Sequence, residues 1–315
     1  MTIIINIIQI LSGDEYMNYY EEIKEELINN EINKRVKDYS KNKYELKTYY
    51  DVGKLLIEAQ GGETRAKYGN QLIKDYSIKL TSELGKGYSV TTLKYMRSFF
   101  LLVQKSQHIA DQLSWSHYQV LLTLKDINKI NYYIEQCIKY NLGRNELRNR
   151  IKSHEYERLS IETKEKLKYK ETLQITDTIK NPIIIRNSLY IEKVSEKILQ
   201  KLIIEDIENI MKQLGEGFCY IDKEYKIKLG KTYNYIDILL FNIKFNCYVV
   251  VELKVTCLKK EHLGQIQVYM NYVDENLKDI NQNKTIGIII LKENDEYIIK
   301  YSSDQRIHTT SYILI

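Results

Sequence analysis

The sequence predicts an α+β protein of two domains: a helical amino-terminal domain, laid out like a helix-turn-helix or winged-helix module, and a carboxy-terminal domain of order α-β-β-β-α-β. Three observations carry this. At 315 residues the chain exceeds the roughly 100 to 200 that one core usually organises. Proline occurs once, at Pro182, so long uninterrupted elements are open to it. The apolar residues repeat at helical spacing before a segment near 160–190 and fall into strand-length runs after it. The division that follows is 17–160 for the helical domain, 161–190 for a connector and 191–315 for the α/β domain.

From the start, Met1 to Leu11 is apolar but lacks a basic leader region, is too short to span a bilayer and runs into Asp14 and Glu15. It reads as neither an export signal nor a membrane anchor. Met17 opens an acidic amphipathic helix, which makes residues 1–16 look like an upstream start. Residues 17–60 are helical by the stripe Ile23, Leu27, Ile28, Ile32, and Gly61-Gly62 breaks them. A second stripe, Tyr68, Leu72, Ile73, Tyr76, Leu80, Leu84, stops at Gly85-Lys86-Gly87. Ser89 or Thr91 then caps a helix that turns Leu93, Met96 and Phe100 inward, with Lys94 and Arg97 sharing another face. His117, at a helix start after Trp115, reads as a packed or capping residue. Helices from about Gln119, and around Arg144, Arg148 and Arg150, complete the domain.

Charge separates the halves. Residues 61–160 carry 16 Lys and Arg against nine Asp and Glu, while the rest of the chain carries 31 against 33. A concentrated positive segment suits phosphate contacts with nucleic acid, made by Lys94, Arg97, Arg144 and Arg148, although a solvated helical face has the same composition. The 28 tyrosines accompany abundant Ile, Asn and Lys, the mark of AT-rich coding, and carry no functional weight by number alone. Four dispersed cysteines and five histidines offer no zinc spacing, and reduced thiols suit the cytoplasm. No phosphate loop is present, so ATP is not an expected ligand.

In the second domain a helix covers about 195–214 and ends at Gly215-Glu216-Gly217. Strand-like runs follow at Phe218–Leu229, Tyr233–Phe241 and Asn246–Lys254, then a helix over 260–278, a strand at Thr285–Leu291 and another at Glu296–Tyr301. Asp237 interrupts the apolar run Tyr235 to Leu240, and Val251 leads into Glu252-Leu253-Lys254. A carboxylate in a buried strand is costly. The two-residue period puts Glu252 and Lys254 on one face, so Asp237 and Glu252 on neighbouring strands can converge on one Mg²⁺, with Mn²⁺ able to substitute. Lys254 beside them can orient or deprotonate water and balance phosphate charge. A salt-bridged sheet edge would show the same spacing. Gln265 and Tyr269, one turn apart on the next helix, can add a hydrogen bond to water or phosphate and position a strand.

Asp237, Glu252-x-Lys254 and Gln265-x-x-x-Tyr269 resemble the PD-(D/E)xK nuclease superfamily in its RecB-like form. The blocks Lys67-Tyr68-Gly69-Asn70-Gln71-Leu72-Ile73, Gly85-Lys86-Gly87-Tyr88-Ser89, Leu113-Ser114-Trp115-Ser116-His117-Tyr118, Leu214-Gly215-Glu216-Gly217-Phe218 and Glu261-His262-Leu263-Gly264-Gln265 are similar, in order, to the YhcG-type family. The resemblance implies a restriction-endonuclease-like carboxy-terminal fold, a DNA-binding amino-terminal domain, Asp237 and Glu252 as metal ligands, Lys254 as the catalytic lysine, and Gln265 as an accessory residue. Ile236 stands where the motif has proline. Of the acidic positions in the preceding helix, Glu196 is retained, while Gln200 and Gln213 replace carboxylates, which implies thinner acidic support. The expected activity is Mg²⁺-dependent hydrolysis of DNA phosphodiesters, most simply by a homodimer when both strands are cut. The alternative is a catalytically weak nucleic-acid-binding or adaptor protein that keeps the fold.

Overall fold

The computed structural model describes residues 18–35, 41–62, 69–106, 110, 112–191, 193–293 and 304–315. The apolar start of the chain, Lys67-Tyr68 and the strand expected at Glu296–Tyr301 lie outside the described residues. The chain divides into two compact units, Met1–Ser153 and His154–Ile315. Among the described residues, no helix is long and apolar enough to cross a membrane.

Every element described in the first unit is a helix: α1 (Tyr19–Arg35), α2 (Lys41–Ala59), α3 (Gly69–Leu84), α4 (Val90–Ser106), α5 (Trp115–Leu121), α6 (Ile127–Tyr140) and α7 (Arg144–Lys152). Ser89 caps α4 by accepting from the Thr92 amide at 3.2 Å. α2 and α4 cross closely because residue 53 is glycine; a Cβ there would stand 2.2 Å from the Met96 carbonyl oxygen. Tyr49, Phe99, Trp115 and Tyr118 pack as an aromatic cluster, with Tyr49 and Trp115 centroids 4.5 Å apart and Phe99 and Tyr118 4.7 Å apart. His117 is the capping residue its position implied. Its Nδ1 accepts from the Ser114 amide at 3.2 Å, and its Nε2 lies 2.9 Å from the Leu142 carbonyl. The helix expected from Gln119 is two helices, parted at Leu122–Asp126 where Asp126 caps α6 through the Asn128 amide.

The second unit begins with α8 (Ile161–Lys168) and strand β1 (Ile183–Ile185). The stretch expected to be a connector, 161–190, therefore contributes a helix and a strand to this unit. Its strand is only three residues long, too short for a period to register. Gln213 holds it in place: its Nε2 donates to the Ile184 carbonyl and its Oε1 accepts from the Ile184 amide, both at 2.8 Å.

α9 (Glu196–Glu205) and α10 (Ile207–Leu214) follow, broken at Asp206, then β2 (Phe218–Leu229), β3 (Thr232–Asn242), β4 (Cys247–Cys257), α11 (Lys260–Asn276), β5 (Ile286–Glu293) and β6 (Ile307–Leu314). The expected order α-β-β-β-α-β is present, extended by β1 and β6. One six-stranded sheet runs β1-β6-β5-β4-β3-β2. β2, β3 and β4 are antiparallel, whereas β4, β5, β6 and β1 are parallel. One face buries Leu199, Leu202, Ile203, Ile210 and Leu214 from α9 and α10. The other buries Ile266, Tyr269, Met270 and Val273 from α11. Continuous apolar runs in β4 and β5 are what a sheet covered on both faces requires.

Candidate active site

β3 and β4 pair from Asn242 with Cys247 to Ile238 with Val251, and then part. The next residues outward are Asp237 and Glu252. Where the backbones separate, a carboxylate takes over the ladder: the Leu253 amide donates to Asp237 Oδ2 at 2.8 Å. Strand alternation puts Glu252 and Lys254 on the face of Val250, which packs in the cluster of α11. Glu252 is 2% exposed and Lys254 8%. Lys254 Nζ lies 3.4 Å from Glu252 Oε2 and 3.6 Å from Glu196 Oε2, in the first turn of α9. Asp237, Glu252, Lys254 and Glu196 are thus one cluster.

Burial, and then the charge of Asp237, push the Glu252 carboxyl up to about 8. Burial also raises Asp237, against the Leu253 amide and Lys254, which favour its charged form. Burial opposes the Lys254 ammonium, but Glu252, Glu196 and Asp237 outweigh it and hold the lysine protonated. On α11, Gln265 Nε2 donates to the Tyr269 hydroxyl at 3.1 Å. Burial raises the Tyr269 phenol; the Gln265 hydrogen bond opposes this, and the charges of Glu252 and Asp237 add to it.

Residues 176–314 match the profile of the YhcG PDDEXK nuclease domain, and residues 16–158 match the DUF1016 N-terminal domain. The chain thus carries a YhcG-type PDDEXK nuclease domain preceded by a DUF1016 N-terminal domain. It is 25% identical over 285 residues to "Putative nuclease YhcG" of Escherichia coli (strain K12), covering 78% of this chain and 76% of that one. Among solved structures, it is similar over 38% of its length to a repair endonuclease from Pyrococcus abyssi, with 20% identity and a TM-score of 0.28. It is similar over 39% to an EndoMS-dsDNA2 complex, with 21% identity and a TM-score of 0.30. The chain spans just under half of each of those two chains, 48% and 47%.

PD-(D/E)xK nucleases are generally divalent-metal dependent, and the residues here fit such an ion. Glu252 Oε1 is buried and has no hydrogen-bond partner, a costly arrangement for a carboxylate unless a cation completes it. Among the described residues, no group of three or more His, Cys, Asp and Glu could hold a metal ion. Two carboxylates are a donor set for a hard cation that keeps most of its water.

The glutamines of α9 and α10 both bond the chain itself. Gln200 Nε2 donates to the Asp237 carbonyl at 2.9 Å, which fixes β3 at the fork. Gln213 is 7% exposed, clamps both backbone groups of Ile184 and accepts from Arg158 Nη1 at 2.8 Å. An ionised carboxylate could not donate to the Ile184 carbonyl, so in this chain Gln213 serves as a strand clamp. His262 had no assigned role in the sequence. Burial lowers it first, followed by the Lys254 and Lys259 charges, and its Nδ1 accepts from the Lys259 amide at 3.2 Å. Its one sequence signal is its place in the block Glu261-His262-Leu263-Gly264-Gln265.

In the first unit, Lys94, Arg144 and Arg148 are exposed. Arg97 is half-buried, and its Nε donates to Gln60 Oε1 at 2.8 Å. Arg150, close to the other two in sequence, lies over the Tyr140 ring at 4.8 Å. The basic residues of this unit are thus of two kinds, some presented to solvent and some built into the packing.

Proposed function

We propose that this protein is an endonuclease that hydrolyses phosphodiester bonds in DNA with Mg²⁺, for which Mn²⁺ substitutes. The observation that carries this is the buried, unpartnered Glu252 Oε1 beside Asp237, with Lys254 held protonated next to both. A bound cation would polarise the phosphate and acidify a coordinated water. Asp237 and Glu252 would hold it, Glu252 giving up its proton as the ion arrives. Lys254, whose charged form its acidic neighbours favour, would orient the water and offset the charge that builds on the phosphate. Gln265 and Tyr269, hydrogen-bonded to each other on α11, would meet the phosphate or the strand, and Glu196 would steady the ammonium.

The domain of residues 17–160 would grip DNA through phosphate contacts from Lys94, Arg144 and Arg148, with Arg97 on the same face as Lys94. A homodimer would supply the two sites that a double-strand cut needs. The free thiols of Cys137, Cys219, Cys247 and Cys257 suit a cytoplasmic setting.

The test is cleavage of labelled DNA with Mg²⁺, Mn²⁺ or chelator by wild type, Asp237→Ala and Glu252→Ala, paired with calorimetric Mn²⁺ titration of each. Cleavage and Mn²⁺ binding should both be lost in the variants. Equal nicking by all three proteins would sink the enzyme.

A further inference from the structure

β2 is an edge strand, and its distal half forms with β3 a hairpin whose tip joins Leu229 to Thr232. Across it Lys226 pairs with Tyr235 and Lys228 with Tyr233. Directly opposed residues share a face of the sheet, so two lysines and two tyrosines stand together. Ile227 and Ile236 alternate with them and are buried at 1% and 0%. Tyr233 and Tyr235 remain 55% and 51% exposed. Lys226 Nζ lies 3.9 Å over the Tyr233 ring, while the Tyr235 side chain has no ring or hydrogen-bond partner among the described residues.

A ring left half in water contributes little to a core, and four lysines (Lys223, Lys226, Lys228 and Lys231) occur within nine residues here. Lysines on an edge strand also guard against unwanted strand pairing. That purpose does not call for tyrosines opposite them. Position adds a second argument. Tyr233 and Tyr235 precede Asp237 on β3 by four and two residues, which sets the strip within about 13 Å of the fork along the strand.

We propose that this face is a docking strip for an unpaired DNA strand, with bases stacked on Tyr233 and Tyr235 and phosphates met by Lys226 and Lys228 as the strand runs to Asp237. This rests on the nuclease function proposed above and names the form of substrate. Stacking requires open base faces, which a duplex keeps inside its own stack. The lysines supply the complementary charge along the backbone.

The experiment measures fluorescence anisotropy of the full chain with labelled oligothymidine and with a blunt duplex, both in chelator, so that neither cleavage nor metal enters the result. Tyr233→Ala with Tyr235→Ala should weaken oligothymidine binding by at least about tenfold and duplex binding by less than about twofold. Tyr233→Phe with Tyr235→Phe should bind like wild type, since phenylalanine keeps the stacking face. Lys226→Gln with Lys228→Gln should reduce the salt dependence of oligothymidine binding. Wild-type failure to bind oligothymidine, equal binding by the alanine variant, or equal loss on both DNAs would each overturn the strip. Unchanged binding with self-association of the lysine variant in sedimentation would overturn it too, assigning the lysines to edge protection. Loss of the nuclease function would appear separately, as cleavage indifferent to Asp237→Ala.

Discussion

The two units place charge in opposite ways. The helical unit leaves Lys94, Arg144 and Arg148 in water, where a charge is stable without any partner. The sheet unit takes Glu252 and Lys254 almost wholly out of water, at a desolvation cost of several kcal/mol per ion by the usual magnitudes. Burial alone does not mark function, since both units also bury polar groups for structure. Gln60 is 8% exposed and accepts from Arg97; Gln213 is 7% exposed and bonds Ile184 twice and Arg158 once. Those amides are satisfied by the chain itself. Glu252 Oε1 is not. Asn30 Oδ1 in the helical unit is also buried and unsatisfied, but it is a neutral amide oxygen; Glu252 differs in being a carboxylate beside a second carboxylate and an ammonium, where a cation from outside can complete it.

The largest effect should come from the charged cluster. Lys254→Met removes the ammonium that sits between Glu252 and Glu196 while keeping its length. Single-turnover cleavage at saturating DNA should fall by about 10² to 10⁴-fold. A drop below tenfold would show that the buried lysine is only a structural counter-ion. The next effect lies on the satisfied side. Gln213→Ala removes both Gln213 bonds to Ile184 and one of the partners of Arg158, and should lower stability in urea unfolding by about 2–4 kcal/mol. Gln213→Glu should also destabilise, because it cannot donate to the Ile184 carbonyl. A fully stable, more active Gln213→Glu would instead assign position 213 to the acidic support of the site.

Much of this was open to reading because the costly residues interrupt cheap patterns. Asp237 inside Tyr235–Leu240 and Glu252-x-Lys254 at the end of a valine run stand out, as strands of this kind seldom carry charge. The three strands β2, β3 and β4 follow from length and alternation, and α9 with α10 from a single helical stripe that Asp206 interrupts. What stayed hidden depends on partners distant in sequence. β1 is three residues long and exists as a strand because β6 and Gln213 hold it. The service of Gln200 to the Asp237 carbonyl spans 37 residues, and nothing local to either residue signals it. The distinction between Arg97, tied to Gln60, and Lys94, free in water, is likewise invisible in a helical wheel that puts both near one face.

A smaller effect sharpens the contrast between satisfied and unsatisfied burial through pH. In metal-free protein the folded Glu252 carboxyl titrates at about 8, above its ordinary value of 4.5. The native state therefore holds this proton more tightly than the unfolded chain. Its contribution to stability is complete below the unfolded value, falls as pH rises towards about 8, and is flat above that. Urea unfolding in chelator from about pH 5 to 9 should show the decline, and Glu252→Gln should flatten it. An unchanged slope in that variant would mean that the carboxylate is hydrated in solution and that its orphaned oxygen is not orphaned.

The smallest effect on the fold belongs to the exposed charges, and it tests the other half of the comparison. Arg144 and Arg148 occupy one side of α7 a turn apart, both exposed, while Leu147 between them is fully buried. Reversing both to glutamate touches no packed group, so the melting temperature should stay within the change that about 0.5 kcal/mol produces. If these arginines each meet a phosphate, the log–log slope of DNA affinity against salt should shrink by about 2. The weakening should also be the same for unrelated sequences, because phosphate contacts carry no base information. Arg97→Glu is the internal control: it breaks the bond to buried Gln60 and should cost stability that the exposed pair does not. Anisotropy titrations at a series of salt concentrations, alongside thermal melts of the same samples, read both quantities. A salt slope unmoved by the double reversal would remove these two arginines from the DNA-gripping surface and leave the exposed charge of the helical unit to solvation or to an acidic partner.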